Sequence, residues 1–195
     1  MKLVLATRNA HKLRELAALL DGYDVVPLPD DIELPPETGA TFAANALPKA
    51  RAAAAATGEV AFGDDSGIES AALGGAPGVR SARFAGPGAT DADNLALLIE
   101  RAPPGSALAY VCVIALVDPH TGEESLFEGR CTGSMADAPR GAGGFGYDPI
   151  FVPDDRDDGA TMAELTPDEK DAISHRGRAA HALLSHLREG APASR

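Results

Sequence analysis

The chain has 195 residues, 45 % of them hydrophobic, which suffices for one globular domain with a core of its own. Its formal net charge of −12 argues against nucleic acid and anionic membranes as partners, because proteins that bind polyanions need a positive field. No signal-peptide pattern follows Met1, and no apolar stretch approaches the roughly 18 residues that a membrane span needs.

The first half of the chain alternates short apolar runs with helical patterns. Leu3–Ala6 predicts a buried strand, a polar loop over Thr7–His11 follows it, and leucines at helical spacing predict a helix over residues 12–20. The next predicted elements are a strand at 25–26, a helix over 41–57 that Thr41 caps and Pro48 interrupts, a strand at 60–62 that runs into Gly63–Gly67, and a helix over 91–101 that Thr90 caps.

The second half of the chain predicts a long hairpin followed by further helices. A strand over 107–117 returns through a turn as a partner strand over 124–131. After it come a glycine-rich loop over 139–146, a strand at 150–152, a helix that starts at Thr166-Pro167, and a helix over 178–187. This alternation predicts an α/β fold, a mixed sheet with flanking helices, in a single domain over residues 1–190 with a disordered tail over 191–195.

Lysine and cysteine usage adds two expectations. Only four of the 17 basic residues are lysines: Lys2, Lys12, Lys49 and Lys170. A compact ammonium suits a phosphate as a point charge, and the simpler alternative is chance placement on solvated faces.

Cys112 and Cys131 have no CxxC spacing, so they indicate reduced thiols of a cytoplasmic protein, with a single disulfide between them as the open alternative.

Two polar segments of the first half predict a site for phosphate and metal. The strand–loop–helix around Thr7–Lys12 offers backbone N–H groups and a helix dipole to an anion, although it lacks the glycines of a Walker loop. Asp64 and Asp65 directly follow a predicted strand and repel each other, and a divalent cation such as Mg²⁺ resolves this. Glu37, on a stiff loop, would complete the metal site. The simpler alternatives are a capped helix and solvated acidic loops.

Two segments of the second half predict contacts with a flat ligand. The glycines of 143–146 let the backbone approach closely, Phe145 would stack on a base, and Asp148 would accept from a ring N–H. Lys170 and Ser174 share a helix face, and donors cluster over Ser174–Arg176. The alternative is a turn with core aromatics. No GxSxG elbow or Ser/His/Asp order supports a nucleophile triad.

Together these segments resemble one family, the inosine triphosphate pyrophosphatases, also called Ham1-like or noncanonical purine NTP pyrophosphatases. The matching motifs run in the family's order over nearly the whole chain: Thr7-x-Asn9-x-x-Lys12, Glu37-Thr38-Gly39-x-Thr41-Phe42, Asn45-Ala46-x-x-Lys49-Ala50, Asp64-Asp65-Ser66-Gly67, Leu73-Gly74-Gly75-x-Pro77-Gly78, Ser81-Ala82-Arg83, Gly144-Phe145-Gly146-Tyr147-Asp148-Pro149 and Ser174-His175-Arg176-Gly177. Single motifs are weak signals, whereas eight in order are highly specific.

The resemblance implies an elongated α/β fold with two lobes around a central nucleotide-binding cleft, a cytoplasmic homodimer, and dependence on Mg²⁺, with Mn²⁺ as the alternative metal. It implies hydrolysis of ITP, dITP and XTP to monophosphate and pyrophosphate, which removes them from the nucleotide pool. Asp65 would be the catalytic residue that places metal and water, with Glu37 and Asp64 as further metal ligands. The implied substrate contacts are Thr7, Arg8, Asn9, Ala10, His11, Lys12, Lys49, Ser66, Phe145, Gly146, Tyr147, Asp148, Lys170, His175 and Arg176.

Three positions depart from the family's pattern. Ala44 stands where relatives usually carry Glu or Asp, and Pro48 precedes Lys49, so either change could weaken metal binding or displace Lys49. The tryptophan often found near Cys131 is absent. Two rival functions follow: a nucleotide-binding protein that has lost its activity, and a phosphatase that releases orthophosphate.

Overall fold

The structure is a computed structural model that describes residues 1–189, so the tail predicted over 191–195 lies outside the described residues. The strands are β1 (Lys2–Leu5), β2 (Asp24–Pro27), β3 (Ala61–Ser70), β4 (Ala107–Val117), β5 (Glu124–Met135) and β6 (Phe151–Pro153). The α-helices are α1 (Ala10–Leu19), α2 (Phe42–Thr57), α3 (Asp91–Arg101), α4 (Pro167–Ile173) and α5 (His175–Glu189). Short 3-10 helices lie at Ala71–Leu73, Gly78–Arg83, Asp148–Ile150 and Met162–Glu164.

The strands form one mixed sheet in the order β2-β1-β3-β4-β5-β6. β1 pairs in parallel with β2 and with β3, and β6 pairs antiparallel with β5. The predicted α/β fold with a mixed sheet and flanking helices is therefore confirmed. Within the described residues, no helix combines the length and the apolar character needed to cross a bilayer.

The helix starts are set by side-chain caps, as the sequence predicted. Thr41 accepts a hydrogen bond from the Ala44 N–H at the start of α2, and Gly58 ends this helix in the left-handed conformation. Thr90 and Asp93 form a reciprocal capping box at the start of α3. These caps satisfy backbone N–H groups that the helices themselves leave unpaired, so they fix where each helix begins.

β3 is longer than predicted, and this changes the setting of the two adjacent aspartates. Glycine and aspartate are poor strand formers, so the sequence placed Gly63–Gly67 after the strand, whereas the structure includes all five residues in it. The packing of α2 explains the difference. A Cβ atom at Gly63 would lie 3.0 Å from the Ala46 carbonyl oxygen, so the helix rests directly on this strand. Because strand side chains alternate, Asp65 shares the face of Gly63 and Asp64 points to the other.

The chain forms two compact units, each assembled from separate segments. Within the described residues, unit 1 comprises Met1–Asp65, Cys112–Gly129 and residues 176–189, and unit 2 comprises Ser66–Val111 and Arg130–His175. The core of unit 1 contains leucines of β1 and α1, Phe62, Ile114 and residues of α5. The core of unit 2 is built around Ile68, Tyr110, Phe151 and Met162. Neither Cys112 nor Cys131 forms a disulfide, and both are buried.

Candidate active site

In unit 1, Asp64 is a fully buried carboxylate surrounded by cations. The Lys12 ammonium of α1 lies 2.7 Å from Asp64 Oδ2. Arg176, at the start of α5, is also buried and forms an ion pair with Glu15. Burial by itself would raise the pKa of Asp64, but the charges of Lys12, Arg176 and Lys49 outweigh it and hold this pKa below its ordinary value. Asp64 is therefore an anion that holds cations in place.

The neighbouring carboxylate, Asp65, has a different environment. It is 4 % exposed, and its Oδ2 accepts a hydrogen bond of 2.9 Å from the Asn45 side chain of α2. Burial raises the pKa of Asp65 above its ordinary value; the charge of Glu37 adds to this shift, while Asn45 and Lys49 oppose it. A buried carboxylate of raised pKa, held in one orientation, is suited to accept a proton from water.

Lys49 connects the two aspartates to Glu37. Its ammonium lies 2.6 Å from Glu37 Oε1 and donates a hydrogen bond of 2.6 Å to the backbone carbonyl of Asp64. Asn45 and Lys49 are one helical turn apart on α2, so both face β3. Pro48 lies inside α2 without interrupting it, and Lys49 still reaches the acidic residues.

The three carboxylates predicted as metal ligands, Glu37, Asp64 and Asp65, differ in their surroundings. Glu37 and Asp65 repel each other, which a bound cation would relieve. Asp64 instead faces away from Asp65 and is paired with Lys12. Over residues 1–189, no group of three or more His, Cys, Asp or Glu side chains is arranged to hold a metal. Two carboxylates nevertheless suit Mg²⁺, which keeps waters and takes phosphate oxygens as its other ligands.

The side chains of the loop before α1 are largely engaged within the chain. Asn9 Oδ1 accepts from the backbone N–H groups of His11 and Lys12, and Thr7 Oγ1 accepts from the Asn9 N–H. The Arg8 guanidinium donates to backbone carbonyls of residues 28–32 at distances down to 2.6 Å. Arg8 thus fastens a neighbouring loop, and a phosphate contact would require it to leave these carbonyls. Ala10 and His11 are exposed at the start of α1.

In unit 2, Asp148 organises the predicted base-contacting residues. Its Oδ2 accepts hydrogen bonds from the Lys170 ammonium at 2.8 Å and from the Phe145 N–H at 2.9 Å. Its Oδ1 accepts from the Tyr110 hydroxyl at 3.1 Å. The Lys170 ammonium also lies 4.9 Å from the centre of the Phe145 ring. These internal donors occupy the carboxylate that the sequence assigned to a ring N–H of the base.

The rest of the glycine-rich loop is fixed from both sides. Gly144 has φ +67°, and a Cβ atom there would lie 2.1 Å from Asp148 Oδ2, so only glycine fits. The Gly146 N–H donates to Asp91, and the Tyr147 hydroxyl donates to the Ser81 carbonyl at 2.7 Å. Tyr147 is 5 % exposed and belongs to the core of unit 2. Its predicted substrate contact would therefore come mainly from its backbone.

The structure brings ten of the predicted site residues into two groups, one in each unit. The group of unit 1 comprises Lys12, Glu37, Lys49, Asp64, Asp65 and Arg176. The group of unit 2 comprises Phe145, Asp148, Lys170 and, through its contact with Tyr110, His175. Ser66 is the partly buried first residue of unit 2 and lies in β3.

The sequence analysis assigned no role to Asn45, Tyr110 or Glu15, which hold Asp65, Asp148 and Arg176 respectively. A signal existed for two of them. Asn45 lies four residues before Lys49 on the same helix face. Tyr110 is the one residue with a hydroxyl in the apolar strand β4, and a buried tyrosine hydroxyl usually finds a partner.

Comparison with known proteins gives one consistent result. The sequence model of the Ham1 family matches residues 3–186. The dITP/XTP pyrophosphatase of Symbiobacterium thermophilum is 50 % identical over 192 residues, covering 95 % of this chain and 94 % of that protein. A HAM1 protein from Coxiella burnetii is similar in structure, with a TM-score of 0.85 and 42 % identity over 97 % of this chain and all of the other. The nucleoside-triphosphatase / dITP/XTP pyrophosphatase of Mycobacterium abscessus gives a TM-score of 0.74 at 50 % identity, covering 94 % and 99 %.

Proposed function

The chain belongs to the Ham1 family, and on that premise we propose that it hydrolyses the noncanonical purine triphosphates ITP, dITP and XTP to monophosphate and pyrophosphate. Relatives named dITP/XTP pyrophosphatase match it at about half of all positions and over nearly its full length, which supports both the substrate class and the bond that is cleaved. The observation that carries the proposal is the group of unit 1, in which the buried carboxylate of Asp65, held by the Asn45 side chain, lies in the same group as Lys12 and Lys49.

The chemistry requires a base for the attacking water and positive charge for the triphosphate, because phosphoryl transfer depends mainly on positioning and charge neutralisation. Asp65 would accept the proton of the water that attacks the α-phosphorus, and Asn45 holds this carboxylate in one orientation. Lys12 and Lys49 would offset the charge that develops on the leaving pyrophosphate.

We assign a resident Mg²⁺ to Glu37 and Asp65, the two carboxylates whose mutual repulsion a cation would relieve. When bound, the metal supplies charge to the phosphate oxygens and lowers the pKa of water. Asp64 takes no part in this assignment, since its carboxylate is paired with Lys12 on the other face of β3. Mn²⁺, also an oxygen-binding cation, is the alternative metal.

The group of unit 2 is suited to the purine base. Phe145 offers a ring for stacking, Lys170 offers an ammonium beside this ring, and His175 offers an imidazole that is stacked on Tyr110. Inosine and xanthine present a carbonyl acceptor at C6, where adenine presents an amino donor. A pocket edged by donors therefore favours the first two, because an unpaired buried donor costs on the order of 1–3 kcal/mol.

We further propose a cytoplasmic homodimer. The resemblance to the family supports the dimer. The cytoplasmic setting is supported by two buried cysteines that form no disulfide, as is usual where thiols stay reduced.

Product identity tests the proposed function directly. Purified protein is incubated with dITP and Mg²⁺, and pyrophosphate and orthophosphate are both quantified. One pyrophosphate per dIMP is expected. Orthophosphate as the first product would indicate a phosphatase, and an absence of turnover with nucleotide still bound would indicate a binding protein that has lost its activity.

A further inference from the structure

Tyr110 connects two residues of the predicted base site in unit 2. It lies within β4, is 7 % exposed, and packs in the apolar core of this unit. Its hydroxyl donates to Asp148 Oδ1 at 3.1 Å. Its ring is stacked on the His175 imidazole, with ring centres 4.6 Å apart and planes 8° from parallel. No motif of the sequence analysis included it.

We propose that Tyr110 is a positioning residue for base recognition, which acts by orienting the Asp148 carboxylate and by supporting the His175 ring. This inference rests on the proposed function and deepens it. Tyr110 lies behind the residues assigned to the base, so its effect reaches the substrate through Asp148 and His175 rather than by direct contact.

The hydrogen bonds of Asp148 explain how one hydroxyl can have this effect. Tyr110 fixes Oδ1, and this sets the direction of Oδ2, which receives both the Lys170 ammonium and the Phe145 N–H. One oxygen therefore determines how the Lys170 charge and the Phe145 ring lie relative to each other. The position of the glycine loop depends on the same carboxylate, because Gly144 lies against it too closely for any side chain.

Loss of the hydroxyl would leave Asp148 Oδ1 buried without this donor, and the carboxylate would turn to recover a partner. Lys170 and the backbone at Phe145 would move with it. The proton transfer assigned to Asp65 uses no residue of this network. The change should therefore weaken binding of the base and leave the chemical step unchanged, which raises KM at constant kcat.

The test is Tyr110→Phe, which keeps the ring that stacks on His175 and removes only the hydroxyl. With dITP and Mg²⁺ we expect KM to rise about tenfold while kcat stays within about twofold. The matched control is Tyr23→Phe, a hydroxyl deletion at the edge of the core of unit 1, which should change neither constant. In an Asp148→Ala background, which removes the acceptor of the Tyr110 hydroxyl, the effect of Tyr110→Phe on KM should disappear, because the two residues act as one unit.

A second measurement does not depend on turnover or on the double variant. The chain has six phenylalanines, so an NMR spectrum of protein labelled with ¹⁵N-phenylalanine shows few amide signals. The signal that is missing in Phe145→Leu is the Phe145 amide. The Phe145 amide signal should shift in Tyr110→Phe and stay in place in Tyr23→Phe. An unchanged KM, a fall in kcat alone, additive effects with Asp148→Ala, or an unmoved Phe145 amide would each overturn the role of Tyr110 while leaving the proposed function intact. A wild-type protein that does not turn over dITP would overturn the proposed function, and this inference with it.

Discussion

Asp64 and Asp65 are consecutive residues of β3, yet their carboxylates have different partners: the Lys12 ammonium for Asp64 and the Asn45 amide for Asp65. The alternation of side chains along a strand places them on opposite faces. Their pKa values consequently shift in opposite directions, downward for Asp64 and upward for Asp65. One is therefore suited to hold cations and the other to exchange a proton with water.

Asp65→Asn should lower turnover of dITP by about a hundredfold or more, because it removes a positioned base and a metal ligand. The fold should persist, since the amide is isosteric with the carboxylate and can still accept the hydrogen bond of the Asn45 side chain. Initial rates and circular dichroism check both points. Asp21→Asn, an exposed change in the same unit, is the control. A folded Asp65→Asn protein with near-normal activity would remove Asp65 from the mechanism.

Asp64→Asn should mainly reduce stability. It leaves Lys12 and Arg176 buried or partly buried without their shared anion, and breaking a buried ion pair costs about 3–5 kcal/mol. Urea unfolding of Asp64→Asn, Asp65→Asn and Asp21→Asn measures the contrast. If Asp64→Asn lost no more stability than the other two variants, the role of Asp64 as an anchor for these cations would be wrong.

Much of the fold follows from local patterns of the sequence. The caps at Thr41, Thr90 and Thr166 and the apolar run of β4 predicted their elements closely, because each pattern is contained within one element. β3 did not follow. Its five residues from Gly63 resemble a turn, and they are extended because α2 packs on them, which is a contact between distant segments.

Ala44→Glu should lower the Mg²⁺ concentration needed for half-maximal turnover if the acid missing from this position contributes to the metal site. Position 44 is also the third residue of α2, where a glutamate would complete a capping box with Thr41. Ala44→Gln completes the same cap without a charge and is the matched control. An equal effect of both variants would assign it to the cap. A strong loss of activity in Ala44→Glu alone would contradict the placement of Lys49 beside this site.

Both cysteines should be unreactive in the folded protein. Burial raises the pKa of Cys112 to about 12, helped by the charge of Asp64, and the thiolate is the reactive form. With Ellman's reagent at about pH 8, a pH close to the ordinary cysteine pKa, native protein should release no colour, and unfolded protein should show two thiols per chain. Fewer than two reactive thiols per chain after unfolding without reductant would instead indicate a disulfide between Cys112 and Cys131.

The sequence motifs could single out candidate site residues but not the contacts that these residues make. Lys12, Lys49 and Asp65, which the motifs singled out, all lie in unit 1 around β3. Arg8 is an example of contacts that could not be predicted from the sequence. Its guanidinium is held by four backbone carbonyls of a loop some 20 residues further along the chain, and nothing in the sequence marks these acceptors. The hydrogen bond from the Tyr110 hydroxyl to Asp148 likewise joins residues 38 positions apart.

The central claim is that the protein removes noncanonical purine triphosphates, and base selectivity tests it most directly. The measurement is kcat/KM for dITP, XTP, GTP and ATP under one Mg²⁺ condition, with pyrophosphate as the quantified product. ATP should be rejected because its C6 amino group faces donors, and sites of this kind discriminate by up to roughly 10⁴-fold. GTP shares the C6 carbonyl and must be rejected at its C2 amino group, which makes it the sharper comparison. We expect dITP and XTP to be strongly preferred over both; turnover of GTP as efficient as that of dITP would contradict the account.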